Sequence, residues 1–426
     1  MDYVLPIFSV IVTILAGWAL IKRYSTPMVL MFAALAILLV VSFTANPNFL
    51  PKGVKPSGFA AYMDKIGAAR ALVNIAVKPL SLLHAPYLVL CGGYLIGQIL
   101  VAVIPSAAGL AMLLLVALFP ILKAVGTSPA AGAAVIGTSA GMTFAPTAGT
   151  ANLAAKVAGL DPIIYLVEYQ LKIAVPTLIV ATVAHYFVQK YYDKKNDDVY
   201  TTADEVKAAD VPEVPAFYAL FPVLPIALLI IFSKLVVDSI KLDTVSALFL
   251  VWILVVVVEV LRYRDVKKVF KDAMSMFQSM GKMFGGIVAL IICAEFFATA
   301  LKASGLIDLL IDSAQGVGAG MGSMTVILTG IVSLVTFLTG SGVGAYSSFA
   351  TLAPEVAHGL SGAVPALVTP MQFASGMVRA MTPVAGVIIA VAGAAGVTPM
   401  AVVRRTWIPM TCGMLTTLIV NQVFFG

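Results

Sequence analysis

The chain of 426 residues is 61% hydrophobic and only 11% charged, with a mean hydropathy of +1.04. A soluble protein needs roughly a quarter of its residues charged to face water, so a water-solvated globule is excluded and hydrocarbon becomes the expected solvent around most of the fold. The net charge of +6 does not point to nucleic acid, because the bases stand in short clusters between apolar runs, at Lys22-Arg23, Arg262 to Lys271 and Arg404-Arg405, as cytoplasmic loops of membrane proteins do.

Apolar runs of about twenty residues, enough to cross a bilayer, lie near 3–21, 27–45, 163–189, 217–237, 243–261, 283–300 and 402–424. Between them, 85–160 and 322–397 are apolar but interrupted by Gly, Pro, Ser and Thr, most densely at 139-SAGMTFAPTAGT-150 and 339-TGSGVGAYSS-348. A continuous helix through such clusters is disfavoured, and unwound backbone at membrane depth survives only where protein or a water-filled cavity satisfies it. The two halves also align in order. Stretch 102-AVIPSAAGL-110 matches 337-FLTGSGVGA-345, Pro146 to Gly149 matches Pro383 to Gly386, and Ala158 to Pro162 matches Ala395 to Pro399.

These patterns predict an all-α polytopic membrane protein of two inverted repeats, each with a re-entrant helical hairpin, its tip at 105–109 or 340–344, and a discontinuous helix, broken near 143–150 or 379–386. Residues 1–58 supply scaffold spans of the first repeat, and 59–162 an amphipathic segment, hairpin and broken helix of a transport domain. A span at 163–189 and a polar cytoplasmic linker at 190–215 follow. The second repeat has scaffold spans at 216–296, transport-domain elements at 297–397 and a C-terminal span at 398–426. The basic clusters place 190–215, 262–272 and 404–405 inside, so the hairpins open from opposite faces. Residues 46–58, with three prolines in thirteen residues, cannot span a bilayer, so either one crossing of the first repeat is missing there, the favoured reading, or the first two spans are flipped against their charges.

Discontinuous helices in paired positions point to a transporter site near the midplane. A dehydrated anion needs donors, which helix N-termini and hydroxyls supply, and glycine lets backbone N–H groups approach closely. The expected substrate contacts are Ser106, Thr147, Gly149, Thr150, Gly340, Ser341, Gly342, Ser375, Arg379, Thr382 and Pro383, with a Na⁺ position near Ser139 and Asn152. Arg379 is the sharpest of these. A mid-membrane arginine costs several kcal/mol (about +2.5 to +17, depending on method) unless it has a carboxylate or a cavity, and its own broken helix offers no acid.

The remaining ionisable groups read as less specific. Glu295 could relay protons or pair with Lys302, with snorkelling at a helix end the preferred reading, Glu259 is interfacial, and His84, His185 and His358 are structural groups near span ends. Cys91, Cys293 and Cys412 fall in apolar runs as buried thiols. No Walker loop, HExxH or CxxC is present, which speaks against ATP hydrolysis and metal-dependent catalysis and for a protein that is not an enzyme. A channel is the competing class, since channels also use re-entrant loops.

The pieces 58-GFAAYMDKIGA-68, 78-KPLSLLHAPYL-88, 215-PAFYALFPVLP-225, 339-TGSG-342 and 378-VRAMTPVAGVIIAVAG-393, with Arg404-Arg405-Thr406 and Pro409, resemble the anaerobic C4-dicarboxylate carriers of the DcuC family. The resemblance covers nearly the whole chain. It implies an elevator-type fold, usually dimeric, that carries succinate, fumarate and related dicarboxylates across a bacterial inner membrane by exchange or coupled to H⁺ or Na⁺, with no other cofactor. Another small anion, an amino acid or a monocarboxylate, is the alternative substrate. Ser341-Gly342, Arg379 and Thr382-Pro383 are the positions that the resemblance assigns to the site.

Overall fold

The computed structural model describes residues 58–195, 214–233, 242–283 and 320–425, with isolated positions 11, 12, 15, 18 and 236. The spans expected at 3–21, 27–45 and 283–300 therefore fall almost wholly outside the described residues. So do most of the polar linker, Cys293, Glu295 and the question of a missing crossing between 46 and 58. Among the described residues every regular element is helical and no strand occurs.

In chain order the helices of the first half are α1 (Phe59–Lys65), α2 (Ala68–Val77), α3 (Pro86–Leu100), α4 (Ala107–Ala117), α5 (Phe119–Ala124), α6 (Pro129–Thr138), α7 (Gly149–Val157) and α8 (Pro162–Lys195). The middle of the chain gives α9 (Leu224–Ile231), α10 (Thr244–Tyr263) and α11 (Val266–Met283). The second half continues with α12 (Met321–Thr339), α13 (Gly342–Ala350), α14 (Ala353–Gly359), α15 (Val364–Arg379), α16 (Gly386–Ala395) and α17 (Pro399–Phe425).

Local chemistry sets many of these starts. Ser128 accepts the Ala131 N–H ahead of Pro129, Asp161 accepts Ile163 and Ile164 ahead of Pro162, and Asp243 accepts Ser246. Each side chain satisfies N–H groups that a helix start leaves orphaned, and proline at the first position loses no bond. The span expected at 217–237 is interrupted. Pro222 and Pro225 split it into a 3-10 turn at Ala216–Leu220 and the short α9, because proline cannot continue the hydrogen-bond ladder of a preceding turn.

Four described helices, α8, α10, α12 and α17, are long and apolar enough to span a bilayer. Their outward faces carry large exposed apolar side chains, among them Ile179, Phe187, Leu250, Leu334 and Ile419, which fits hydrocarbon rather than water as their solvent. Two other helices have no outer face. Ala130–Thr138 in α6 and Val364–Val378 in α15 are buried at every position, so these two form the centre of the fold.

Helices α8 and α17 pack along their length and run antiparallel. Thr177 meets Thr417 with hydroxyls 3.1 Å apart, while sixteen residues on Asp193 meets Arg405.

Candidate functional site

Helix α6 stops at Thr138 and α7 begins at Gly149, leaving 139–148 unwound; α15 stops at Arg379 and α16 begins at Gly386, leaving 380–385 unwound. The breaks fall where the sequence places them, at 143–150 and 379–386, though the first begins four residues earlier. Buried carbonyls freed by unwinding need donors, and side chains from elsewhere supply them. Gln98 donates to Thr138 O at 2.8 Å, Arg379 Nη2 to Ala140 O at 2.7 Å and Gln372 Nε2 to Thr143 O at 2.6 Å. Asn152 covers the Pro146 and Ala148 carbonyls, and in the second break Thr406 donates to Ala380 O at 2.7 Å. Gly376 sits so close to the first break that a Cβ there would lie 2.3 Å from Gly141 O.

Each break is tied to a turn between two helices. Helix α3 turns into α4 through 101–106, and α12 turns into α13 through Gly340 and Ser341. The sequence places these turns at 105–109 and 340–344; both close earlier, because Ser106 and Ser341 start the next helix by accepting the N–H of Gly109 and Gly344, each at 3.2 Å. Thr147 donates to Ala102 O at 2.7 Å, and Thr382 donates to Phe337 O at 2.8 Å. Both bonds join residues 45 apart; the first runs from a break to the turn that follows α3, the second from a break to the end of α12. The second turn is wedged tightly. Gly340 has φ +71°, a left-handed conformation that suits glycine, and a Cβ on Gly342 would lie 2.4 Å from Ser375 O.

The packing then crosses between the halves. Helix α4 lies against α16, and α13 lies against α7. The caps Ser106 and Ser341 are exposed, as are Gly149 and Gly386, the first residues of α7 and α16. A Cβ at either glycine would meet nothing within 4 Å. Two helix starts, those of α7 and α16, therefore present unblocked N–H groups with partial positive charge, whereas Ser106 and Ser341 cap the starts of α4 and α13.

Arg379 closes the second break. Among the described residues no carboxylate pairs with it, and its Nε is buried without a hydrogen-bond partner. One of its five donors holds the Ala140 carbonyl, which leaves a forked cation with donors to spare.

Of the expected contacts, the structure brings Gly340, Ser341, Gly342, Ser375, Arg379, Thr382 and Pro383 together around the second turn and Ser106 and Thr147 around the first, while Gly149 and Thr150 begin α7, which lies against α13. Several hydroxyls are already committed. Thr147 and Thr382 hold the turns, Ser375 donates to Gln372 O at 2.7 Å, and Thr150 bonds Thr143 at 2.9 Å. At the expected Na⁺ position, Ser139 donates to Val135 O and Asn152 to break carbonyls. Those carbonyls thus already carry donors.

Sequence reading missed Gln372, which is fully buried and also accepts from Gln170 at 2.9 Å and Tyr165 at 3.1 Å. Its signal was a lone amide in an apolar run, seven residues before Arg379 and on the same helical face. It also misplaced three ionisable groups. Glu259, expected at the interface, is 6% exposed and accepts the Tyr218 hydroxyl. Arg405, counted among loop charges, is 1% exposed and bonds Asp193 at 2.6 Å.

His185, expected near a span end, is fully buried ten residues inside α8. Its Nε2 meets the Thr138 hydroxyl at 3.1 Å, and its Nδ1 meets Gln189 at 3.3 Å. Thr138 donates its proton to the Ala134 and Val135 carbonyls, so it accepts from His185 Nε2–H. Gln189 is held by Arg405 at both ends, its Oε1 accepting from Nη1 at 3.3 Å and its Nε2 donating to the backbone carbonyl at 2.9 Å. This donor arithmetic assigns His185 one neutral tautomer.

Residues 57–425 match the family described as "C4-dicarboxylate anaerobic carrier". The chain is 35% identical over 369 residues to the "Probable anaerobic C4-dicarboxylate transporter DcuC" of Vibrio cholerae serotype O1, covering 86% of this chain and 80% of that protein. It is 33% identical over 367 residues to the "Anaerobic C4-dicarboxylate transporter DcuC" of Escherichia coli strain K12, covering 86% and 78%. With apolar spanning helices and relatives that are named transporters, the chain is a membrane protein of the transporter class and not an enzyme, and it belongs to the DcuC family of C4-dicarboxylate anaerobic carriers.

Proposed function

We propose that this protein carries C4-dicarboxylates of the succinate, fumarate and malate type across a bacterial inner membrane, by exchange or coupled to H⁺ or Na⁺. The observation that carries this reading is the half-buried Arg379 guanidinium beside the α13 start, with its Nε shielded and without a hydrogen-bond partner and no carboxylate paired with it among the described residues. A planar fork of this kind suits a carboxylate held by two parallel bonds. A dicarboxylate has a second charged end, and the exposed starts of α4, α7 and α16 offer N–H donors for it.

In this reading the two turns are re-entrant hairpins and the halves are inverted repeats. The antiparallel α8 and α17 and the paired Thr147 and Thr382 bonds support it. The hairpins and broken helices of 59–162 and 297–397 move as a transport domain against the remaining spans of a homodimer, carrying the occupied site from face to face.

The test is uptake of labelled succinate into proteoliposomes. Because Arg379 also holds Ala140 O, Arg379→Lys is the cleaner variant, keeping a positive donor and losing the fork. Uptake falls at least tenfold in Arg379→Lys and disappears in Arg379→Ala, with thermal unfolding of the lysine variant unchanged. Wild-type uptake by Arg379→Lys rejects the contact.

A further inference from the structure

Asp64 is a half-buried ionisable group that the site described above does not use. It lies on α1, outside the spanning helices, and its Oδ1 is shielded from solvent with no hydrogen-bond partner. Its Oδ2 reaches the first turn of α4, where it lies 3.6 Å from the position a Cβ on Gly109 would take. The Ser106 hydroxyl is 3.1 Å from that same point. The carboxylate and the exposed cap of the first hairpin thus flank one glycine.

The charged groups on the surrounding elements are Lys65 on its own helix, Arg70 on α2, and Lys267, Lys268, Lys271, Asp272 and Lys282 on α11; α4 has none. Lys65 turns to Asp272 at 3.9 Å, and among the described residues no cation forms an ion pair with Asp64. Burial therefore acts unopposed and raises the carboxyl from 3.8 to about 6. One turn before Asp64 on the same face, Ala60 lines a narrow, partly open cleft together with Val103, Pro105, Thr147, Pro222 and Leu248. The cleft brings solvent-accessible space beside both α1 and the first hairpin.

We propose that Asp64 is the proton-carrying group of this transporter, taking a proton from solvent when a substrate carboxylate settles at the α4 start and returning it when the substrate leaves. The inference rests on the reading of the Ser106 turn as part of the substrate site. Two negative charges at one helix start disfavour each other, so a bound dianion raises the proton affinity of Asp64, and a protonated Asp64 raises the affinity for the dianion by the same factor. No covalent bond is made or broken; one proton moves between water and Asp64.

Two assays on the full chain in proteoliposomes separate the steps. Counterflow of labelled against unlabelled succinate at equal pH needs no net proton movement, whereas accumulation driven by an acid exterior does. Wild type performs both, and its apparent affinity weakens as pH rises through about 6. Asp64→Asn mimics the protonated carboxyl, keeps counterflow within twofold, loses at least tenfold of gradient-driven accumulation and flattens the pH profile. Asp64→Glu retains coupling. Proton-driven accumulation by Asp64→Asn overturns the proposal, as does loss of its counterflow, which would make Asp64 a structural or substrate-binding group. Wild-type accumulation driven by Na⁺ alone overturns it too. If wild type shows no succinate counterflow, the substrate reading itself fails, and the assay distinguishes that case.

Discussion

Replacing Gly149 or Gly386 by alanine adds one methyl group at the first position of α7 or α16, where nothing in the empty protein lies within 4 Å. Neither glycine has a positive φ, so alanine adopts the native backbone without strain. Removing glycine's freedom from the unfolded chain then stabilises the fold by about 0.4–1 kcal/mol. Binding moves the other way. If a substrate carboxylate accepts N–H groups at these helix starts, the methyl occupies its approach. Losing one hydrogen bond to a charged group costs about 1.5–3 kcal/mol, and about 1.4 kcal/mol is tenfold in affinity. Each variant should bind succinate roughly tenfold to hundredfold more weakly while unfolding at the same temperature or slightly above. Calorimetric titration in detergent, with KM for uptake in proteoliposomes, measures the first quantity, and thermal unfolding the second. Wild-type affinity in both variants refutes the reasoning, because the open space would then hold no ligand.

Two further predictions concern how the site is held. Thr147→Val and Thr382→Val each remove the hydroxyl that ties a break to its hairpin, at 2.7 and 2.8 Å. Each should cost about 1–2 kcal/mol in thermal unfolding, and a cost confined to one variant breaks the equivalence of the halves. Asp193→Asn removes the charge bonded to the buried Arg405 at 2.6 Å. Breaking such a pair should cost about 3–5 kcal/mol, read as a lowered unfolding temperature; a change below about 1 kcal/mol shows that the pair does not organise the α8–α17 contact.

The breaks are not independent of each other. The first has its Thr143 and Ala140 carbonyls satisfied because Gln372 and Arg379, both on α15, reach across 229 and 239 residues to them. An unwound segment without those donors would leave buried acceptors bare, at about 1–3 kcal/mol each. Arg379 therefore has two tasks, holding the first break with one donor and presenting the rest.

Much of this was legible before any coordinates. The shortage of charge excludes a water-solvated fold. The Pro, Gly and Ser clusters mark both breaks within a few residues, since loss of backbone donors and helix propensity acts locally. The Ser106 and Ser341 turns fall in the two stretches that align in sequence, 102–110 and 337–345. Tertiary contacts decided what pattern cannot carry. They spent the Thr147, Thr382 and Ser375 hydroxyls on carbonyls, leaving backbone N–H groups as the open donors. They drew Arg405 and His185 from predicted ends into a buried network and set Gln372 at the crossing of the halves. A local rule sees neighbours within a few turns, whereas these groups found partners up to 239 residues away, where the membrane core leaves a polar atom no water to turn to.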